Sequence, residues 1–114
     1  MSTPHHKTLT LERWRELSLV ERMANVGSEV CRAISWRQRN QDVARLALER
    51  ALELLDLTLL TVSDSPPRLR ELARTREALV DYFLFDNRYG STDALWQRTF
   101  DAYAHAAALR RAAR

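Results

Sequence analysis

From Ser18 onward, apolar residues recur every three or four positions in four long blocks separated by short polar breaks. That is the period of helices with one buried side. The breaks carry helix-start chemistry. Ser18 with Glu21 three residues later makes a capping box, and Asn40 in "RQRNQD" is a good N-cap. "SDSPPR" offers Ser65 as a cap with Pro66 at the first helical position. "NRYGST" offers Gly90 as a stop and Ser91 or Thr92 as the next cap. The pattern predicts helices over 18–38, 41–62, 66–86 and 92–112, preceded by a short lead-in helix over 10–16.

Successive residues set at 100° steps show which sides are apolar. In 18–38, Leu19, Val20, Met23, Ala24, Val26, Gly27, Val30, Cys31 and Ile34 share one arc, with Glu21, Asn25, Glu29 and Arg32 opposite. In 41–62 the apolar residues, among them Val43, Leu48, Leu52, Leu55, Leu59 and Val62, cover more than half the circumference, leaving a strip of Asp42, Arg45, Glu49, Glu53 and Asp56. A helix of that kind has apolar neighbours on two sides. Taken with the aromatics of 82–100, this surface predicts a homo-oligomer.

A chain of 114 residues, 46% of them hydrophobic, holds one domain with a real core. The division expected is a lead-in over 1–17 and a helical domain over 18–114. Two Gly and three Pro leave few turn formers, and the expectation is an all-α fold, an antiparallel four-helix bundle with a short N-terminal lead-in helix. Cys31 has no partner for an internal disulfide, and "MSTPHHKTLTLERW" has no apolar run of signal-peptide length, which points to a cytoplasmic protein. Charges interrupt every apolar stretch before the roughly 20 residues a membrane helix needs.

The net charge of +3 is unevenly spread: 1–39 carries seven basic and four acidic residues, 40–64 two and five, 65–90 five and four, 91–114 four and two. Seventeen of the eighteen basic residues are Arg, suited to bidentate contact with phosphate or carboxylate, although a GC-rich genome gives the same bias.

Two residues break the helical patterns. Arg76 falls in the apolar stripe of Leu69, Leu72, Ala73, Leu79, Val80 and Phe83. It is expected to pair with an acid of another helix, and losing a fully buried pair would cost about 3–5 kcal/mol. Its other reading is a phosphate-gripping arginine. Trp36 projects from the polar side of its helix between Arg32 and Arg39. Either it anchors a partner or stacks on a base, or the lead-in folds back so that Trp14 and Leu17 cover it.

In "LWQRTFDAYAH", Arg98 and His105 lie seven residues apart on one helix side, with Asp101 between them at offsets of three and four. A ladder of neighbouring charges accounts for the group. The Arg, six residues and His also resemble the signature of the HEPN family of helical RNases, with Thr99 where a residue such as Asn or Asp usually follows the arginine. That resemblance implies a metal-independent RNase, with His105 as acid or base and Arg98 stabilising charge on phosphorus.

A second resemblance covers residues 18–114 as an order of parts. "ALERALELLDLTLL", "RLRELARTREALVDY", the aromatic "ALWQRTFDAY" and the basic tail "RRAAR" resemble the accessory variability determinant of diversity-generating retroelements. That family is a basic four-helix bundle that forms rings and binds reverse transcriptase and template RNA. The resemblance implies a non-catalytic, homo-oligomeric accessory protein that contacts RNA and a protein partner such as a reverse transcriptase. The arginines expected on RNA phosphates are Arg32, Arg37, Arg39, Arg110, Arg111 and Arg114, with Trp36 as the protein anchor. The acidic second helix departs from a strongly basic surface. A purely structural interaction module is the third reading. No cofactor or metal is expected: His5, His6 and Cys31 lack ligand spacing, Glu49 and Glu53 lie on a solvated strip, and there is no glycine-rich phosphate loop.

Overall fold

A computed structural model describes residues 10–113. His5, His6 and Arg114 lie outside them. The chain is all-helical, with α1 Leu11–Arg15, α2 Leu19–Trp36, α3 Gln41–Thr61, α4 Pro66–Leu84 and α5 Asp93–Ala112. α2 packs along both α3 and α5, and α3 also meets α4 and α1. None of these helices is long and apolar enough to cross a membrane.

The starts follow the local chemistry read from the sequence. Ser18 and Glu21 form the full capping box. Asn40 Oδ1 accepts from the amides of Asp42 and Val43, and Thr92, not Ser91, caps α5 by accepting from Leu95 N. Ser65 caps α4 through its backbone alone, with proline at the first helical positions. The third block ends two residues early: Phe85 leaves the helical region at φ −129° and ψ −149°.

The core joins Met23, Val26 and Val30 of α2, Ala51, Leu54 and Leu55 of α3, Leu72 and Leu79 of α4, and Trp96 and Phe100 of α5. The broad apolar arc of α3 is consumed by its three helix neighbours, although Leu46 and Leu60 remain exposed. Trp14 is also in this core. Its indole N–H donates to Thr58 Oγ1 at 3.0 Å, and Thr58 Oγ1 donates to Leu54 O. Arg22 clamps the lead-in by donating to the carbonyls of Trp14 and Arg15 and to Thr61 Oγ1. α1 therefore covers the helical core near Thr58, and Trp14 is occupied there rather than over Trp36.

Two expectations change. Glu21, assigned to the polar arc, is buried, because the capping-box return folds its carboxylate onto Ser18 and Arg110 Nε stands 3.8 Å away. Arg76 does pair with an acid of another helix, Asp56 at 2.7 Å, but the two side chains are 37% and 54% exposed. Water screens such a pair, so removing Arg76 is expected to cost at most about 1 kcal/mol, not the 3–5 kcal/mol of a buried pair.

Gly27 fixes how α5 lies on α2. A β-carbon there would stand 2.5 Å from Phe100 Cβ and 2.7 Å from its Cγ. Phe100 Cβ is fixed to the backbone and cannot swing aside, so Gly27→Ala forces the helices apart. Overpacking of this kind costs about 1–3 kcal/mol, against about 1 kcal/mol gained in helix propensity. A lowered denaturation midpoint is expected, and a variant at or above wild type would show that α5 can retreat without loss.

Candidate nucleic-acid interface

The arginines nominated by the sequence do not form one surface. Arg37, at the C-terminus of α2, bonds Asp93 at the start of α5 at 2.7 Å. Arg110, near the end of α5, approaches Glu21 at the start of α2. The two helices therefore run antiparallel, and Arg37 and Arg110 lie about 25 Å apart, from the helical rise between residues 93 and 110. Arg32 and Arg39 belong with Arg37 toward one pole, and the exposed Arg111 belongs with Arg110 at the other.

At the Arg37 pole the guanidinium is already occupied. Besides Asp93, it lies over the rings of Tyr82 and Phe83, at 5.3 and 5.5 Å from their centroids. The Tyr82 hydroxyl donates to Asp93 Oδ1. This knot ties α2, α4 and α5 together. Burial raises the Tyr82 phenol above its ordinary pKa, with the Asp93 hydrogen bond adding to it. The hydrogen bond from Tyr82, with Arg37 beside it, holds the Asp93 carboxyl below its ordinary range against the opposing effect of burial. Arg39, by contrast, is exposed and stacks over the Trp36 ring at 4.3 Å. The half-buried Trp36 thus has a cation of its own chain on one side.

Arg98, Asp101 and His105 are all exposed, and among the described residues no hydrogen bond or ion pair joins them, so the expected ladder is not formed. The two ends of the group are separated by about 10 Å of helix. Cys31 is half-buried, and burial, followed by the charge of Asp101, raises its thiol pKa. A raised pKa disfavours the thiolate form.

A different constellation lies between α4, α5 and the loop that joins them. Arg70 and Arg74, one turn apart on α4, line a groove of about 540 Å³ with Glu71, Thr75, Tyr89, Trp96 and Thr99. Neither arginine has an ion-pair partner among the described residues, unlike Arg37, Arg76 and Arg110. Trp96 is 5% exposed, and its indole N–H is buried with no acceptor among the described residues. Tyr89 is 56% exposed and donates to Glu77 Oε2 at 3.1 Å.

The loop holds Tyr89 by a dense backbone scheme. Asp81 accepts from Arg88 N at 3.0 Å and Tyr89 N at 3.1 Å. Asn87 exchanges two bonds with the backbone of Ser91. Asn87 has φ 54° and Gly90 φ 66°, left-handed conformations that asparagine tolerates and glycine adopts freely. The i, i+4 spacing of Arg70 and Arg74 was visible in the sequence. The return of Tyr89 and the apposition of Trp96 were not, because they depend on the loop path and the rotation of α5.

No protein-family model matches the chain, nor does any curated protein or solved structure.

The Asp93 knot gives a pH prediction. A carboxylate whose folded pKa is depressed adds stability above its unfolded pKa and loses it as pH falls through the folded value. The Asp93 contribution is therefore full at neutral pH, begins to fall below about pH 4, the ordinary carboxylate range, and is gone only below the depressed folded value. The Arg37 and Asp93 side chains are 33% and 43% exposed, so the effect is small, about 0.2–1 kcal/mol. Urea midpoints for wild type and Asp93→Asn should differ at pH 7, and the gap should narrow progressively as pH falls below about 4. A gap that stays equal over that range would exclude Asp93 ionisation as its source.

Proposed function

We propose that this chain is a non-catalytic, RNA-associated accessory module, an antiparallel four-helix bundle with a lead-in helix, which contacts RNA phosphates and a protein partner. The observation that carries the RNA reading is the pair Arg70 and Arg74. They lie one helical turn apart on a groove that also holds aromatic side chains, and neither forms an ion pair among the described residues. Glu71 on the same wall leaves two cations to one anion, with the exposed Arg68 a turn or less away. Arg32 and Arg111 are secondary phosphate contacts in this reading, and Arg37 is assigned to structure.

Self-association belongs to the same proposal. Leu84 and Phe85 are 57% and 72% exposed at the C-terminus of α4. Leu84 lines a second groove, of about 390 Å³, together with Ala33, Ala44, Leu48 and Phe83 and the charged Arg37, Asp42 and Arg45. Large apolar side chains exposed side by side, as Leu84 and Phe85 are, suit a protein contact. The half-buried Trp36, with the exposed Arg39 stacked on it, remains the anchor offered to a different protein, such as a reverse transcriptase.

Affinity for a short RNA, measured by fluorescence anisotropy, is expected to fall steeply with salt, because phosphate contacts release counterions. The double variant Arg70→Ala/Arg74→Ala should flatten the log–log salt slope by about 1–2. Salt-independent binding, or an unchanged slope in the variant, would remove the proposed interface. Light scattering at micromolar concentration should give a mass above the monomer, reduced by Phe85→Asp. A monomeric wild type would count against self-association while leaving the RNA reading intact.

A further inference from the structure

Three features of the α4–α5 groove go beyond a phosphate grip. Tyr89 stands at the groove and is more than half exposed as a residue, held there by Asp81 through the loop backbone. Trp96 contributes a buried N–H donor with no acceptor among the described residues. Buried donors are nearly always satisfied, by protein, ordered water or ligand, and Trp96 is one of the residues that line this groove. Glu71 adds an acceptor on the same groove as the unpaired Arg70 and Arg74.

We infer that this groove binds one unpaired nucleotide, its phosphate on Arg70 and Arg74 and its base against Tyr89 and Trp96. The inference rests on the RNA reading above and narrows it to a single-stranded nucleotide whose base is out of a duplex. A groove of about 540 Å³ falls within the range of small-ligand sites. Every base has a π face for Tyr89, and stacking on one aromatic side chain is worth about 1–3 kcal/mol, roughly a five- to 150-fold change in affinity. Base edges also carry the carbonyl or ring-nitrogen acceptor that the Trp96 N–H lacks, and adenine, guanine and cytosine carry an amino group for Glu71. A base within a duplex keeps its faces stacked and its pairing edge occupied, so duplex RNA would offer this groove its phosphates alone.

The nucleotide can come from a strand or from solution, and the same protein separates the cases. An eight-nucleotide single strand, the duplex of that sequence, and adenosine and guanosine monophosphates are titrated against wild type, Tyr89→Ala, Trp96→Phe and Arg70→Ala/Arg74→Ala. Tyr89 is exposed and Trp96→Phe keeps the ring packing, so both single variants should fold, as circular dichroism can verify. The expected result is preference for the single strand, a loss of five-fold or more with Tyr89→Ala, a smaller loss with Trp96→Phe, and unchanged duplex binding in both. Tyr89-dependent binding of a monophosphate alone also supports the site and identifies the free nucleotide as a ligand. Equal affinity for strand and duplex, or wild-type affinity in both aromatic variants, overturns the nucleotide site. If the arginine variant still loses RNA in that case, phosphate binding stands without base recognition. If no nucleic acid or nucleotide binds, both readings fall.

Discussion

The absence of a side chain at Gly27 is the constraint on which the arrangement of α5 depends. It lets the Phe100 ring occupy space that any β-carbon on α2 would contest, and Phe100 is 2% exposed as a result. Burying a phenylalanine contributes about 1.5–3 kcal/mol, more than any half-exposed ion pair nearby. Packing thus decides the rotation of α5, and the polar contacts follow from it. With Phe100 against α2, Trp96 stacks beside it at 6.1 Å, Asp93 meets Arg37 at one end, and Arg110 meets Glu21 at the other.

Those contacts also sort the arginines. Composition presents them as one basic resource, yet the fold assigns them different work. Arg22 satisfies carbonyls at the end of α1, Arg37 joins three helices, and Arg76 bridges α3 and α4. A guanidinium can do this because its planar fork reaches several acceptors at once and its weaker hydration makes partial burial less costly than for an ammonium. Net charge is therefore a poor guide to a ligand surface here. The informative arginines are those left without an acid on a concave surface, Arg70 and Arg74, which the composition of the 65–90 segment makes almost neutral.

What the sequence disclosed was local. Ser18 with Glu21, Asn40 and Thr92 act on amides two or three residues away, so their spacing along the chain contains the whole interaction. The helical faces were legible for the same reason, through a fixed period. Long-range relations were not. Arg37 and Asp93 are 56 residues apart, Trp14 and Thr58 are 44 apart, and neither pair has a spacing rule. Glu21 was misplaced because a helical wheel assigns a carboxylate to water, whereas a capping box turns it inward. Arg76 was misplaced in degree: its angle was right, but α4 buries only Leu72 and Leu79, so a residue on its apolar stripe can still reach solvent.

That shallow burial of α4 bears on where a binding surface can form. A helix sunk on all sides offers no groove, and a helix held by nothing offers no rigid one. α4 avoids both limits because polar ties supplement its two buried leucines: Arg76 to Asp56, Tyr82 to Asp93, and Asp81 to the backbone of the following loop. Asn87 and Gly90 absorb the left-handed turns that bring the loop back, and Asp81 holds Tyr89 in place before any ligand arrives. Ordering a loop on binding would subtract from affinity, whereas a loop ordered by its own hydrogen bonds avoids that loss. The proposed groove thus joins its two unpaired arginines, on a helix whose outer side the core leaves exposed, to an aromatic side chain already positioned by the fold.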